Sequence, residues 1–337
     1  MKAFVLDKHS PVEQLPLRLV EIPRPLPRDN RILLKVSVCG ICHTDLDEIE
    51  GRLSPSKLPV VLGHQVVGTV ADKGKAASKF NIGDRVGITW LYSSCGLCNF
   101  CRSGSENLCN KAKFTGLDAD GGYAEYMLIQ EDFAHSVPNN FSDELAAPLL
   151  CAGVIGYRTF KLAGINKNDI IGIFGFGASA HIVIQIIKYK FPNNPVFVFT
   201  RTQEHKSLAR SLGAVWTGSP KDNPPEKLNR AFDFTPAGQT VLYALGVMDK
   251  GARLIINAIR KSTPVPQLDY ANHLWLEKEI KSVANVTRKD AEEFLPLATK
   301  IPIQPKVETF EFEEANHALL ALKNSRITGA GVLKISD

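Results

Sequence analysis

Up to about residue 150 the apolar residues come in short runs that alternate with polar ones and are cut by Gly, Pro and Asp. ILLKVSV, VVGTVA, DRVGIT and AEYMLI are such runs. Alternation over this length predicts strands of an antiparallel β domain. From about Cys151 the texture changes. IIGIF is a buried-strand run, GFGASA turns the chain, and HIVIQIIKYK carries helical spacing. PVFVFT and HKSLARSLGA repeat the strand-then-helix order, and AFDFT, the helix TVLYALGVM and the strand GARLIINA continue it. Strands alternating with helices predict a parallel, doubly wound sheet. After SVANVT the pattern changes again, to a helix around AEEFLPLATK, a strand near VETFEF and a helix in EEANHALLALKN.

Composition narrows the class. A chain of 337 residues has length for two domains, and 44% apolar with 22% charged residues is ordinary for a globular protein. The net charge of +5 is mild and the Lys and Arg residues are dispersed. No basic run argues for nucleic acid or an anionic membrane. MKAFVLDKHS lacks the apolar stretch of a signal peptide, and no window approaches the length of a membrane span. The expectation is a cytoplasmic protein. No internal repeat or low-complexity segment stands out.

The chemistry lies in the seven cysteines. CGLCNFCRSGSENLC places Cys95, Cys98, Cys101 and Cys109 in a C-x2-C-x2-C-x7-C array. Four thiolates so close in sequence can surround one tetrahedral zinc and leave no open position, which makes such a site structural. Two disulfides, or thiols buried as small apolar residues, are the weaker alternatives, since nothing points to an oxidising compartment. A second set is split along the chain: Cys42 in CGICHTD, His64 in LGHQVVG and Cys151 in PLLCAGV. Two thiolates and one imidazole make three ligands and leave a fourth position for water or substrate. Each piece alone would be unconvincing, because a lone His or Cys is more often core packing.

Together with the four-cysteine array, and with MKAFVL, GDRVGITW, GGYAEYM, GFGASAH and GAGVLKI in the same order, these segments resemble the zinc-dependent medium-chain alcohol dehydrogenases over the whole chain. In that family a Cys2His set holds the catalytic zinc. The resemblance implies an α/β protein: a GroES-like β-rich catalytic domain (1–152 and 288–337) with two zinc sites, and an inserted Rossmann coenzyme domain (153–287). It implies an active cleft between them.

The coenzyme motif is read from the residues. Gly175 and Gly177 follow a strand and open a helix, so the backbone can turn tightly and bring Ala178, Ser179 and the helix N-terminus to a pyrophosphate. Ala180 stands at the third glycine position. An NAD enzyme keeps an acid at the end of the second strand, to hold the ribose hydroxyls. Here Thr200 occupies that position and Arg201 follows, with Lys206 in reach. This favours NADP over NAD, because a guanidinium can bind a 2′-phosphate that no carboxylate repels. The alternative is that Arg201 is a solvated surface residue.

The remaining roles are implied by the resemblance. Thr44 matches the hydroxyl that takes the substrate proton, His43 a basic residue near the coenzyme pyrophosphate, and Asp45 the carboxylate that orients the histidine ligand. Trp90 and Leu53 match positions that line the substrate pocket. Four positions depart from the commoner pattern. Gln65 stands for a glutamate thought to approach the zinc. Asp47 replaces the histidine that ends the proton relay, and an aspartate pKa near ~3.9 matches neutral operation poorly. Ala330 replaces an arginine, for which Arg326 is a possible substitute, and Ala180 replaces a glycine. Cys39, in KVSVCG, reads as a buried inert thiol.

The resulting expectation is a zinc-dependent, NAD(P)-linked alcohol dehydrogenase or aldehyde reductase. It carries two zinc ions per chain, acts on a small-molecule alcohol or aldehyde, and assembles as a homodimer or homotetramer through the segment near Ile280 to Val286. A polyol or specialised-aldehyde oxidoreductase is one alternative. A nucleotide-binding zinc protein without dehydrogenase turnover is the other.

Overall fold

The computed structural model describes residues 1–301 and 303–336. The chain divides into two compact units. One comprises Met1–Cys151, Asn285–Thr299 and the stretch from Gln304 on; the other comprises Ala152–Ala284 with Lys300, Ile301 and Ile303.

The first unit is built around the long strand Arg31–Ile41, the ILLKVSV run with its flanks. Its N-terminal half pairs antiparallel with Tyr126–Gln130 and its C-terminal half with Ala330–Lys334. Gln65–Lys73 lies along the other side. Register slips between Leu33 and Leu34 and between Val36 and Val38 interrupt that ladder, and such bulges bend a strand. The bend wraps the seven-stranded sheet around a core that includes Ile32, Leu34, Val36, Val66, Val86, Ile88 and Tyr123. A three-stranded sheet (Leu17–Glu21, Lys2–Leu6, Val60–Val61) packs into the same core.

The second unit is a six-stranded sheet, parallel at every pairing. Its spatial order is Trp216–Gly218, Val196–Phe199, Ile171–Phe174, Leu228–Asp233, Met248–Ile256, Glu279–Ser282. Numbered along the chain this is 3-2-1-4-5-6, the order of a dinucleotide-binding sheet. The central strands are apolar along their whole length because helices cover both faces: Ile171–Phe174 and Val196–Phe199 are buried at every residue. The helix expected over TVLYALGVM ends at Val247. Met248 is already extended and begins the next strand. Trp216–Gly218 and Glu279–Ser282 are strands that the sequence pattern did not single out. Both are short, and the second is exposed at every residue, so neither carries a buried-strand signature.

Among the described residues no single helix is long and apolar enough to cross a membrane.

Candidate metal and coenzyme sites

Three donors widely separated in sequence meet inside the first unit. Cys42 ends the hub strand and opens the helix His43–Ile49. His64 precedes the strand Gln65–Lys73, and Cys151 follows the short helix Ala147–Leu150. The ligand atoms of Cys42, His64 and Cys151 all lie within 4.8 Å of one another. The thiols of Cys42 and Cys151 share a hydrogen bond, which is the largest influence on both: it holds Cys42 well below the ordinary thiol range and pushes Cys151 well above it. A divalent cation bound between the two sulfurs would displace the protons they carry.

Asp45 orients this group. It is fully buried at the third position of the helix. Its Oδ2 accepts the backbone N–H of Cys42 at 2.7 Å and the hydroxyl of Tyr123 at 3.0 Å. Its Oδ1 lies 3.4 Å from His64 Nδ1. A hydrogen bond from Nδ1 to this carboxylate would leave Nε2 as the ring's ligand nitrogen. Desolvation works to lower the pKa of His64, but Asp45 and Cys42 outweigh it and hold the ring well above its ordinary value. The close packing needs a glycine beside the histidine. Gly63 has φ of +94°, and a Cβ there would lie 2.4 Å from the Tyr123 ring.

The other predicted residues of this region fall as follows. The Thr44 hydroxyl is buried, 3.6 Å from Cys42 Sγ. His43 is exposed at the first helical position. Trp90 stacks against Phe114 at 4.6 Å, stands 6.0 Å from the His64 ring, and has its buried indole N–H without a partner. Gln65 is buried against the Gly40 backbone, where a Cβ would meet its side chain at 3.0 Å. Asp47 is not a free carboxylate: Arg52 Nε donates to its Oδ1 at 2.6 Å. Leu53 is tied by its backbone N–H to the carbonyl of Asp47. Ala330 begins a strand, and Arg326 is exposed. Cys39 is a buried free thiol.

Cys95, Cys98, Cys101 and Cys109 form a second cluster in the same unit. A tetrahedron of thiolates about 2.3 Å from zinc spaces its sulfurs about 3.8 Å apart. Cys95 and Cys101 are 3.8 Å apart, and Cys98 and Cys101 3.5 Å apart. All four are free thiols, which removes the disulfide alternative. Backbone N–H groups of Leu97 and Cys98 point at Cys95 and hold its thiol down at about 6. The lobe is anchored by Glu106, whose Oε1 accepts from Arg288 N and Nε at 2.9 and 3.2 Å.

The coenzyme motif lies in the second unit. Gly175 has φ of +83°, and its N–H bonds the carbonyl of Phe199. A Cβ on it would lie 2.9 Å from Thr235. Gly177 caps the helix Ala178–Lys190, and a Cβ there would meet open space, as an approach to a ligand requires. Ala178 and Ser179 form its first turn, and Ala180 is fully buried. Thr200 is buried at the end of the second strand, its N–H bonded to Gly218. Arg201 is exposed, and Lys206 is half-buried.

A β-rich unit bearing a three-donor and a four-thiol set, with a doubly wound sheet carrying a glycine turn at its switch point, defines a dinucleotide-dependent oxidoreductase of two units. Residues 28–139 match the alcohol dehydrogenase GroES-like domain. The chain is 40% identical to the probable alcohol dehydrogenase AdhA of Mycobacterium tuberculosis, over 99% of this chain and 97% of the relative. It is 32% identical to an alcohol dehydrogenase of Geobacillus stearothermophilus over the full length of both. The crystal structure of the alcohol dehydrogenase from the archaeon Aeropyrum pernix superposes with a TM-score of 0.88 at 26% identity, covering 99% of this chain and 100% of that one. The chain belongs to the zinc-type medium-chain alcohol dehydrogenase family.

Tyr123 was missed as a site residue. It lies in the GGYAEYM landmark, but its bond to Asp45 joins residues far apart in sequence.

Proposed function

We propose that this chain is a zinc-dependent alcohol dehydrogenase or aldehyde reductase that prefers NADP to NAD. Cys42, His64 and Cys151 hold the catalytic zinc, and Cys95, Cys98, Cys101 and Cys109 a structural one. The observation that carries this is the convergence of one imidazole and two thiols within 4.8 Å, backed by a buried carboxylate on the histidine. That is the donor set and outer support of a catalytic zinc.

When bound, zinc supplies Lewis acidity to the alcohol or carbonyl oxygen. The chain's own residues do the rest. Thr44, whose hydroxyl stands beside Cys42, takes the proton from the substrate hydroxyl and returns it in the reductive direction. Asp47 lies one turn further along the same helix and ends the relay with its carboxylate shared with Arg52. Trp90, beside His64, supplies an apolar wall that favours substrates with a hydrocarbon tail. Gln65 cannot offer a carboxylate, so this chain places a neutral amide where relatives of the commoner pattern have an anion. Arg201 meets the 2′-phosphate of NADP, since Thr200 rather than an acid ends the second strand and the guanidinium is exposed.

The protein works in a reducing cytoplasm, which agrees with seven unpaired cysteines. It assembles as a homodimer or homotetramer through the outer edge of the six-stranded sheet. There Glu279–Ser282 is exposed throughout, and Trp275 and Leu276 just before it are more than half exposed. An edge strand with open backbone groups is a template for pairing with a second copy.

Metal analysis together with a panel of alcohols and aldehydes, assayed with each coenzyme, tests the reading. Two zinc ions per chain and turnover with NADPH are expected. One zinc and no turnover would instead support a nucleotide-binding zinc protein.

A further inference from the structure

The helix His43–Ile49 is followed by a turn that folds back on it. Gly51 takes a φ of +71°, and a Cβ there would lie 3.0 Å from the His9 ring. The backbone N–H groups of Arg52 and Leu53 then both bond the carbonyl of Asp47, at 2.9 and 3.0 Å. This reversal lays the Arg52 side chain along the last turn of the helix. Its Nε donates to Asp47 Oδ1 at 2.6 Å, its Nη2 to the Leu46 carbonyl at 3.2 Å, and its Nη1 to Glu50 Oε2. Glu50 is anchored in turn: its Oε1 accepts the Val12 N–H at 3.2 Å and Lys323 Nζ at 2.5 Å. Lys323, which ends the helix Ala315–Lys323, also donates to Glu13 Oε2 at 2.9 Å. Charges therefore alternate in sign from Asp47 through Arg52, Glu50 and Lys323 to Glu13 at the surface.

This chain of charges does more than hold the turn. A carboxylate on a short stem can rotate, and a proton relay works only over hydrogen-bond distance. The planar fork of Arg52 is fixed by Leu46 and Glu50, so it fixes the carboxylate of Asp47 in turn. A bond to Oδ1 does not use up the capacity of a carboxylate to accept a proton. Stability is a weak reason for the arrangement. The Arg52 side chain is 34% exposed, and ion pairs this open to water contribute little. The clamp also persists in acid. Desolvation pushes Glu50 up, but the bonds from Lys323, Arg52 and the Val12 N–H outweigh it and hold its carboxyl at about 2. Arg52 thus keeps its second anchor at neutral and mildly acid pH.

We propose that Arg52 is a positioning residue: it fixes the Asp47 carboxylate at the end of the proton relay from Thr44, and Glu50 and Lys323 hold it to that task. It touches no reacting atom and moves no proton. This inference rests on the reading that the chain is a zinc-dependent dehydrogenase whose relay ends at Asp47.

The test uses the zinc-replete full chain, oxidising whichever alcohol of the panel above it turns over fastest. The variants are Arg52→Met, Arg52→Lys, Glu50→Gln and Asp47→Asn, with Arg52→Met repeated in the Asp47→Asn background. Lys323→Met loosens the clamp from its far end and serves if Arg52→Met folds poorly. The readouts are kcat, the KM for the alcohol, the solvent isotope effect and the melting temperature. Arg52→Met should lower kcat about tenfold, leave KM within about twofold and raise the solvent isotope effect, because the proton step is slowed. Glu50→Gln and Lys323→Met should each lower kcat about threefold, and Arg52→Lys should fall between native and Arg52→Met. In the Asp47→Asn background Arg52→Met should have no further effect, since a residue that acts through Asp47 has nothing left to position. A native kcat in Arg52→Met overturns the inference. So does the same loss in the Asp47→Asn background, or a loss of kcat that only follows a lowered melting temperature. Native turnover in Asp47→Asn removes the relay end, and the inference with it, but leaves the zinc reading standing. A native chain that oxidises no alcohol with either coenzyme sinks the dehydrogenase reading itself.

Discussion

Asp45→Asn isolates the link between a buried carboxylate and the metal. In the native site one oxygen, Oδ2, takes two donors, the Cys42 N–H and the Tyr123 O–H, and the other faces His64 Nδ1. Asparagine has one acceptor oxygen and one amide nitrogen. If the oxygen keeps Cys42 and Tyr123, the amide nitrogen faces His64 and donates to Nδ1. The proton of the ring is then forced onto Nε2, whose lone pair the metal needs. If the amide turns over, two donors face its nitrogen and lose their acceptor inside a fully buried site. In the first case the imidazole is a worse ligand, and in the second the site around Cys42 loses two buried hydrogen bonds. Loss of such an outer partner typically costs 10- to 100-fold in metal affinity, about 1.4–2.7 kcal/mol. The assay is competition with a chromophoric chelator, which should strip one zinc from Asp45→Asn at a concentration that leaves the native protein with two. Alcohol turnover should fall with the first zinc released, while circular dichroism stays native. Tyr123→Phe, which removes one of the two bonds to Oδ2, should show a smaller effect in the same direction. Zinc affinity within about twofold of native in Asp45→Asn would refute the argument, because the tautomer would then be set by something other than this carboxylate.

The two metal sites should separate by phenotype. Cys42→Ser or Cys151→Ser should remove one zinc and abolish turnover with little change in melting temperature, whereas Cys98→Ser should remove the other and lower stability; equal stability losses would contradict the assignment. Arg201→Ala should raise the Michaelis constant for NADPH about 10- to 100-fold, corresponding to a lost charge-assisted bond of roughly 1.5–3 kcal/mol, and barely change NADH. Thr200→Asp should turn preference toward NADH, and a native enzyme that already favours NADH would show that Arg201 is only a surface charge. His135 is buried, and burial, aided by Lys79 and Arg288, holds its pKa at about 3. The unfolded chain takes up that proton near pH ~6.5, so stability should be flat above this pH and fall by up to about 1.4 kcal/mol per pH unit toward 3. Denaturant titrations at stepped pH should show that slope in the native chain and a shallower one in His135→Phe. Light scattering at micromolar concentration should report a dimer or tetramer, and a monomer alone would remove the sheet-edge assembly.

Much of the fold was legible in the chain because it rests on local periodicity. Runs such as IIGIF and PVFVFT, buried on both faces, separated by helical spacing, can only build a covered parallel sheet, and they do. Strands that lack such a run, such as Glu279–Ser282, could not be read, since an exposed edge strand has no apolar signature. The four-thiol cluster was legible for the same local reason: its donors lie within one short loop, so chain connectivity alone brings them together.

The three-donor site was legible only as a set of candidates. The residue types and the order of the segments were in the sequence, but Cys42, His64 and Cys151 meet only because the hub strand, the strand after His64 and the helix before Cys151 converge in one unit. Tertiary structure alone decided the partners of the carboxylates. Asp45 gained Tyr123, 78 residues away along the chain, and Glu106 gained Arg288, 182 residues away. A sequence records which side chains can accept a hydrogen bond. Which donor reaches each one, and whether water is excluded there, depends on long-range strand order and on the closeness of packing, and neither has a local pattern.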